Sequence, residues 1–383
     1  MKAGWAVSTL GETCEMYQPK TITAKEMMLG GPYPVFGANG VIGRYDQFNH
    51  EEPQLLITCR GATCGTVNVS EPKSWITGNA MVVRPKDANI DLRFLEYLFR
   101  GGVDISPAIT GAAQPQITRT NLNPIEIRYP LNSEEQQRIV TLLDEAFDGI
   151  ATARAHAEKN LQNARAIFES HLDAVLSRSG AGYTATTLGA EVDLLPGYAF
   201  PSGGYTDAID AVRLLRGDNI MQGYFRWEEA KGWPSGDCES YSRFALQEGD
   251  VVIAMDRPWV KAGLKRAQIC SDDLPSLLVQ RTSRLRTLGR MRMDFLSHLT
   301  GSQSFSRHLL EVQTGIGVPH ISGKQIESFK FMLPPMSDQE SIANTLNELL
   351  LNTQRLDEIY EEKLTALDEL KKSLLHQAFA GLL

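Results

Sequence analysis

The segment SEEQQRIVTLLDEAFDGIATARAHAEKNLQNARAIFESHLDAVLSR, Ser133–Arg178, decides the fold. It holds no proline and a single glycine, Gly149. Apolar side chains recur at Ile139, Leu143, Ala146, Ile150, Ala153, Ala157, Leu161, Ala164, Phe168, Leu172 and Val175, at steps of three or four residues. That is the period of a long helix with one seam packed on another helix. At roughly 1.5 Å per residue such a helix is on the order of 70 Å long. Pro130 precedes it, and Ser133 with Gln136 reads as a capping box.

A second segment repeats the pattern. Pro334-Pro335 lead into Ser337 and Glu340, a second capping box, and a helix to Phe379 carries Ile342, Leu346, Leu349, Leu356, Ile359, Leu367, Leu370 and Leu374 on one face. The nearest partner of matched length for either helix is the other one. We expect an antiparallel coiled coil paired through Ile139, Leu143, Ile150, Leu161 and Phe168 on one side, and Leu346, Leu349, Leu356, Leu367 and Leu374 on the other.

Before the first helix and again between the two, the texture is one of short apolar runs bounded by Gly, Asn and Pro, which read as strands and turns. The expected order is a mixed domain (1–131), a spacer helix (132–180), a second mixed domain (181–335) and a distal helix (336–383). The halves match in places. Thr9-Leu10-Gly11 opens one and Thr187-Leu188-Gly189 the other, Pro115-Gln116-Ile117 matches Pro319-His320-Ile321, and Gln136-x-x-Ile139 matches Gln339-x-x-Ile342. This is an internal duplication. The fold class expected is α+β, two globular mixed domains separated by two long helices, with pseudo-twofold repetition.

Composition excludes several classes. The chain has 383 residues and a formal charge of −8, with 42% hydrophobic and 22% charged residues, which suits a globular protein and no basic nucleic-acid coat. No apolar run approaches a membrane span, and Met1–Leu10 lacks a signal peptide's apolar core. Five cysteines with no C-x-x-C pair suggest reduced thiols in a cytosol. The location of the charge matters more than its size. Residues 1–129 carry 12 basic and 12 acidic side chains, and residues 183–333 carry 17 of each. The excess acid is −3 in 130–182 and −5 in 334–383, the helical regions, so the mixed domains are free to hold basic faces.

Candidate binding residues follow from chemistry and spacing. Gly37, Gly40 and Gly43 with Asn39 form a glycine-spaced loop beside Arg44 and Tyr45. Either bare backbone approaches a phosphate or base edge there, or Asn39-Gly40 is a hairpin turn, and both can hold. Arg60 and Thr63 follow the strand LLITC, and Arg257 follows VVIAM at the matching place, with Lys261 and Lys265 close by. Arginine suits guanine or phosphate. Gln114, Gln116 and Thr118 in one half and His320, Ser322 and Lys324 in the other occupy equivalent loops, where glutamine suits adenine. Turn chemistry and surface arginines are the bland accounts of these positions. The alternation of Arg281, Arg284, Arg286, Arg290 and Arg292 with leucines reads as a solvated strand face. GVPHISGK (Gly317–Lys324) departs from a P-loop at Val318 and Gln325.

The pieces YPVFGANGVIGRYD, ITCRGATCGTV and QPQITRTNLNPIEIRYPLNSEEQQRIV, then LRGDNI, GDVVIAMDRP and TGIGVPHISGKQIESFKFMLPPMSDQESI, resemble in this order the specificity subunit of a type I restriction-modification system. The resemblance covers nearly the whole chain and adds Arg216 and Asn219, within LRGDNI, to the candidates. It implies two target-recognition domains, each reading one half of a split double-stranded DNA site, and spacer helices that bind modification methyltransferase subunits, two of them expected. It implies no catalytic chemistry, cofactor or metal in this chain. S-adenosylmethionine, ATP and Mg belong on partner subunits, including a restriction and translocase subunit. The rivals are an accessory DNA-recognition subunit of a related phage-defence system and a coiled-coil interaction protein that binds no DNA.

Overall fold

In the computed structural model, residues 4–86, 90–315 and 317–383 are described. The chain forms two compact units, Met1–Glu158 with Tyr360–Leu383, and Lys159–Ile359. The two long helices are Ser133–Leu176 and Met336–Phe379. Each contributes part of its length to each unit, because its apolar face docks on the local core.

The units share one topology. In the first, Cys14–Tyr17, Ala80–Pro85, Leu55–Thr58 and Val67–Val69 form a four-stranded antiparallel sheet in that spatial order. In the second, Val192–Pro196, Thr282–Thr287, Val251–Ala254 and Arg266–Gln268 do the same. Each unit adds a three-stranded sheet whose middle strand has one antiparallel and one parallel neighbour. The middle strands are Tyr33–Gly37 and Val212–Leu215. The central strands Leu55–Thr58 and Val251–Ala254 are buried throughout. That explains why they read as continuous apolar runs.

Each unit is closed by the same fastening. Trp5–Thr9 pairs antiparallel with Glu126–Pro130, and Thr184–Thr187 pairs with Lys330–Leu333, so each domain's first strand lies on the strand that feeds its long helix. Leu10 N–H then donates to Ile125 O (2.8 Å) and Leu188 N–H to Phe329 O (2.8 Å), and both leucines are fully buried. A Cβ on Gly11 would meet Asn123 at 3.1 Å and one on Gly189 would meet Glu327 at 2.8 Å, which explains the glycine at both places.

The expected capping boxes do not form. Asn132 Oδ1 caps the central helix by accepting from Glu134 N–H (2.9 Å). Gln136 turns inward and is fully buried, donating to Pro130 O (2.8 Å) and accepting from Asp91 N–H (2.8 Å). Gln339 is its counterpart: fully buried, it donates to Pro334 O (2.8 Å) and Arg290 O (3.0 Å) and accepts from Arg292 N–H (2.8 Å). Asp91 and Arg292 are the N-cap residues of the domain helices Leu92–Tyr97 and Met293–Gly301. The repeated glutamine therefore staples each long helix to a domain helix.

Helix pairing is antiparallel within each unit. In the first, Arg154 meets Asp368 (2.6 Å) and Lys371 sits over the Phe147 ring (5.0 Å). In the second, Arg165 meets Asp357 (2.9 Å), and Leu172 and Val175 share a core with Ile342 and Leu346. Ile139, Leu143 and Leu346 are buried, and Ile150, Leu161, Phe168, Leu349, Leu367 and Leu374 are half-buried. Leu356 departs from expectation and is 41% exposed. The seam runs instead through Thr353, Asp357, Tyr360, Leu364 and Leu367, and Leu356, Ile359 and Leu370 lie one position off it. A helix with one neighbour buries only a narrow stripe, so a face read from leucines alone drifts off the contact.

Candidate nucleic-acid interface

Both units build the same platform at the end of the central buried strand. In the first unit Ile117 N–H donates to Cys59 O (2.9 Å) and Gly61 N–H to Pro115 O (3.0 Å), which sets Arg60 opposite Gln116. In the second, Ile321 N–H donates to Met255 O (2.8 Å) and Arg257 N–H to Pro319 O (3.0 Å), which sets Asp256 opposite His320. Gly61 (φ +88°) and Arg257 (φ +45°) both adopt left-handed backbone at this point. Register therefore corrects the sequence match. Asp256 is the counterpart of Arg60, and Arg257 is the counterpart of Gly61. Counting from the strand ends in LLITCRG and VVIAMDR would have found this, whereas matching arginine to arginine missed it.

Around the first platform the hairpin Tyr33–Gly37 and Gly40–Tyr45 delivers Asn39. Its amide donates to Thr63 Oγ1 (2.8 Å) and accepts from Thr58 Oγ1 (3.0 Å). Gly40 has φ +113° and Asn39 is not left-handed, so this is not a type I′ turn. Asn39, Gly40, Arg60, Thr63 and Gln116 thus converge, with exposed Gln114 one residue before Pro115. Arg44 and Tyr45 do not join them. They lie five and six residues along the strand, roughly 17–20 Å away at about 3.3 Å per residue. Arg44 donates to the carbonyls of Gly31 and Pro32, and Tyr45 packs edge-on against Trp75.

The second platform opens on a cleft of about 700 Å³ lined by Ser202, Tyr205, Arg216, Asp218, Asp256, Arg257, Lys265 and Arg281, among others. Four cations face two carboxylates there, which gives a net positive cleft. Lys265 Nζ donates to Gly217 O (3.0 Å) and Arg216 pairs with Asp218 (3.2 Å). Lys261 and Lys324 are exposed outside this lining. Asn219 is not available to a ligand. It is 5% exposed, its oxygen accepts from Arg216 N–H (3.1 Å), and its amide donates to Arg226 O (3.0 Å), so it holds the turn. Thr118 and Ser322 are N-caps, accepting from Asn121 and Gln325 N–H at 3.3 Å each.

The arginine alternation after Leu278 is not a solvated face. Arg284 is buried and pairs with Asp193, and Arg286 holds the fully buried Asp250 through two bonds of 2.7 Å. Arg281, just before that strand, is the exposed member that reaches the cleft. The cysteines carry no disulfide, and no group of three His, Cys, Asp or Glu among the described residues is placed to hold a metal. No described helix is long and apolar enough to cross a membrane.

The family model for the type I restriction modification DNA specificity domain matches residues 2–161 and 231–363. The chain is 33% identical over 175 residues to the type I restriction enzyme EcoAI specificity subunit of Escherichia coli, a match spanning 46% of this chain and 29% of that protein. It is 21% identical to the MjaVIII specificity subunit of Methanocaldococcus jannaschii over 98% of this chain and 92% of the relative. The fold matches a chain from a structure of type I R-M complex assembly and conformational transition at TM-score 0.80 and 16% identity, covering 100% of this chain and 99% of the other. It also matches the HsdS subunit from Thermoanaerobacter tengcongensis at TM-score 0.60 and 17% identity, covering 100% and 98%.

Proposed function

The chain belongs to the type I restriction-modification DNA specificity family, and from that premise we propose that it is the non-catalytic DNA-recognition subunit of such a complex. Each mixed domain reads one half of a bipartite double-stranded target, and the chain directs methyltransferase and restriction subunits to that site. The observation that carries this reading is the duplicated platform. Two domains of one topology present Arg60 with Gln116, and Asp256 with His320, at the same junction of two backbone segments. Arginine and glutamine are side chains that discriminate base edges in the major groove. The acid-rich helices suit subunit contacts better than phosphate. Much of the phosphate grip then comes from partner subunits, and the isolated chain binds duplex weakly.

Footprinting with the reconstituted methyltransferase tests this. Two protected half-sites around an unread gap are expected, and a single contiguous site refutes it. The long helices act as the spacer in this account. Adding four residues, about 6 Å of rise, to a helix lengthens the preferred gap by one or two base pairs. An unchanged gap removes the helices from that role.

A further inference from the structure

Among the described residues, three that are not glycine have left-handed backbone: Lys73 (φ +53°), Arg257 (φ +45°) and Arg281 (φ +66°). The two arginines line the same cleft. A side chain with a Cβ is strained in this conformation, which persists where surroundings over-determine it and concentrates at ligand sites.

Arg281 is held there by two contacts. Its carbonyl accepts from Met255 N–H (2.8 Å), and its Nε lies 3.1 Å from Asp256 Oδ2. The other oxygen of Asp256 bonds His320 Nδ1. The carboxylate thus bonds an imidazole on one side and forms an ion pair with a guanidinium on the other. Arg281 is nevertheless 71% exposed at its side chain. A guanidinium held in an ion pair on its Nε side keeps its two terminal nitrogens for another partner, as a planar two-donor edge. In the major groove, guanine presents two adjacent acceptors, O6 and N7, which match that edge.

We propose that Arg281 is the guanine-reading residue of the second recognition domain, with Asp256, steadied by His320, as the positioning residue that aims it. This rests on the DNA-recognition reading above and names the base it takes. The first domain supplies the contrast. Cys59 N–H donates to Asn79 O (3.2 Å), the bond that matches Met255 to Arg281. Asn79 therefore stands where Arg281 stands, and Arg60 stands where Asp256 stands. The guanidinium comes from opposite segments of the platform in the two domains, so the two half-sites are read differently at this position.

The test uses the complete complex of this chain with the methyltransferase subunits of its own system. Duplex libraries randomised in one half-site at a time are selected by binding and sequenced. Arg281→Gly accepts φ +66° without strain, and Arg281→Lys keeps the charge without the planar fork. Both are expected to lose guanine preference at one position of one half-site by roughly 5- to 150-fold. The other half-site stays unchanged. Asp256→Asn weakens the preference at that same position, and Arg60→Lys changes only the opposite half-site. Retention of full guanine preference by both Arg281 variants overturns the assignment. A loss spread evenly over all sequences makes Arg281 a phosphate contact and overturns it as well. A wild-type complex that selects no two-part site overturns the underlying reading, and this one with it.

Discussion

The glutamine staples offer the most direct physical test of how the long helices are joined to the domains. Gln136→Ala removes the partner of Pro130 O and of Asp91 N–H, at a position with no solvent exposure. Each orphaned group costs about 1–3 kcal/mol, so we expect a loss of about 2–6 kcal/mol. Gln339 makes three such bonds, to Pro334 O, Arg290 O and Arg292 N–H, so Gln339→Ala costs at least as much. Gln136→Glu does not rescue the loss, because a carboxylate cannot donate to the Pro130 carbonyl and its charge would be buried. Urea denaturation of the full chain measures the sum. Hydrogen exchange at the Asp91 and Arg292 amides then separates the two sites, since each variant should speed exchange in its own unit only. A loss below about 0.5 kcal/mol for both variants, the range of ordinary surface substitutions, would refute the staple.

Leu346→Ala deletes a fully buried side chain and should cost about 2–5 kcal/mol, whereas Leu356→Ala, 41% exposed, should change stability by less than about 0.5 kcal/mol. Equal effects in a denaturation series would return Leu356 to the seam. Asp250→Ala leaves the partly exposed Arg286 guanidinium without its two carboxylate bonds and the Gln247 N–H without its acceptor, and should cost about 2–4 kcal/mol by the same measurement. Burial pushes the His298 imidazole below its usual 6.5, with the Asn347 bond opposing that shift. The folded chain therefore declines a proton that the unfolded chain accepts. Stability from this group falls as pH drops below about 6.5, until the folded imidazole also titrates. Melting temperatures of His298→Gln across pH 7.5 to 5 should show a shallower decline than the wild type, and an identical slope would clear His298 of any part in it.

The long helices were legible because a period held over forty residues admits few other structures. The duplication was legible because Thr9-Leu10-Gly11 and its counterpart Thr187-Leu188-Gly189 do the same steric job twice. The caps were misread for a physical reason. Gln136 and Gln339 have the residue type of a capping box but are pulled inward by unpaired backbone groups of another helix, which local sequence does not reveal. Leu356 was misplaced because leucine spacing over several turns does not fix which stripe meets a neighbour. Arg60 and Gln116, singled out for their chemistry, do sit opposite each other at the platform, while Arg44 and Asn219 bond local backbone instead. Asp256 and Arg281 were missed because their roles depend on strand register and on backbone strain. Neither feature is written in residue type.

The central claim is that one chain reads two separated half-sites. Sequencing of methylated positions, in DNA from cells that carry this chain with its partner methyltransferase, tests it most directly. The account predicts one motif made of two short specified elements separated by an unspecified gap of fixed length. A contiguous motif, or two elements whose gap varies freely, would contradict it.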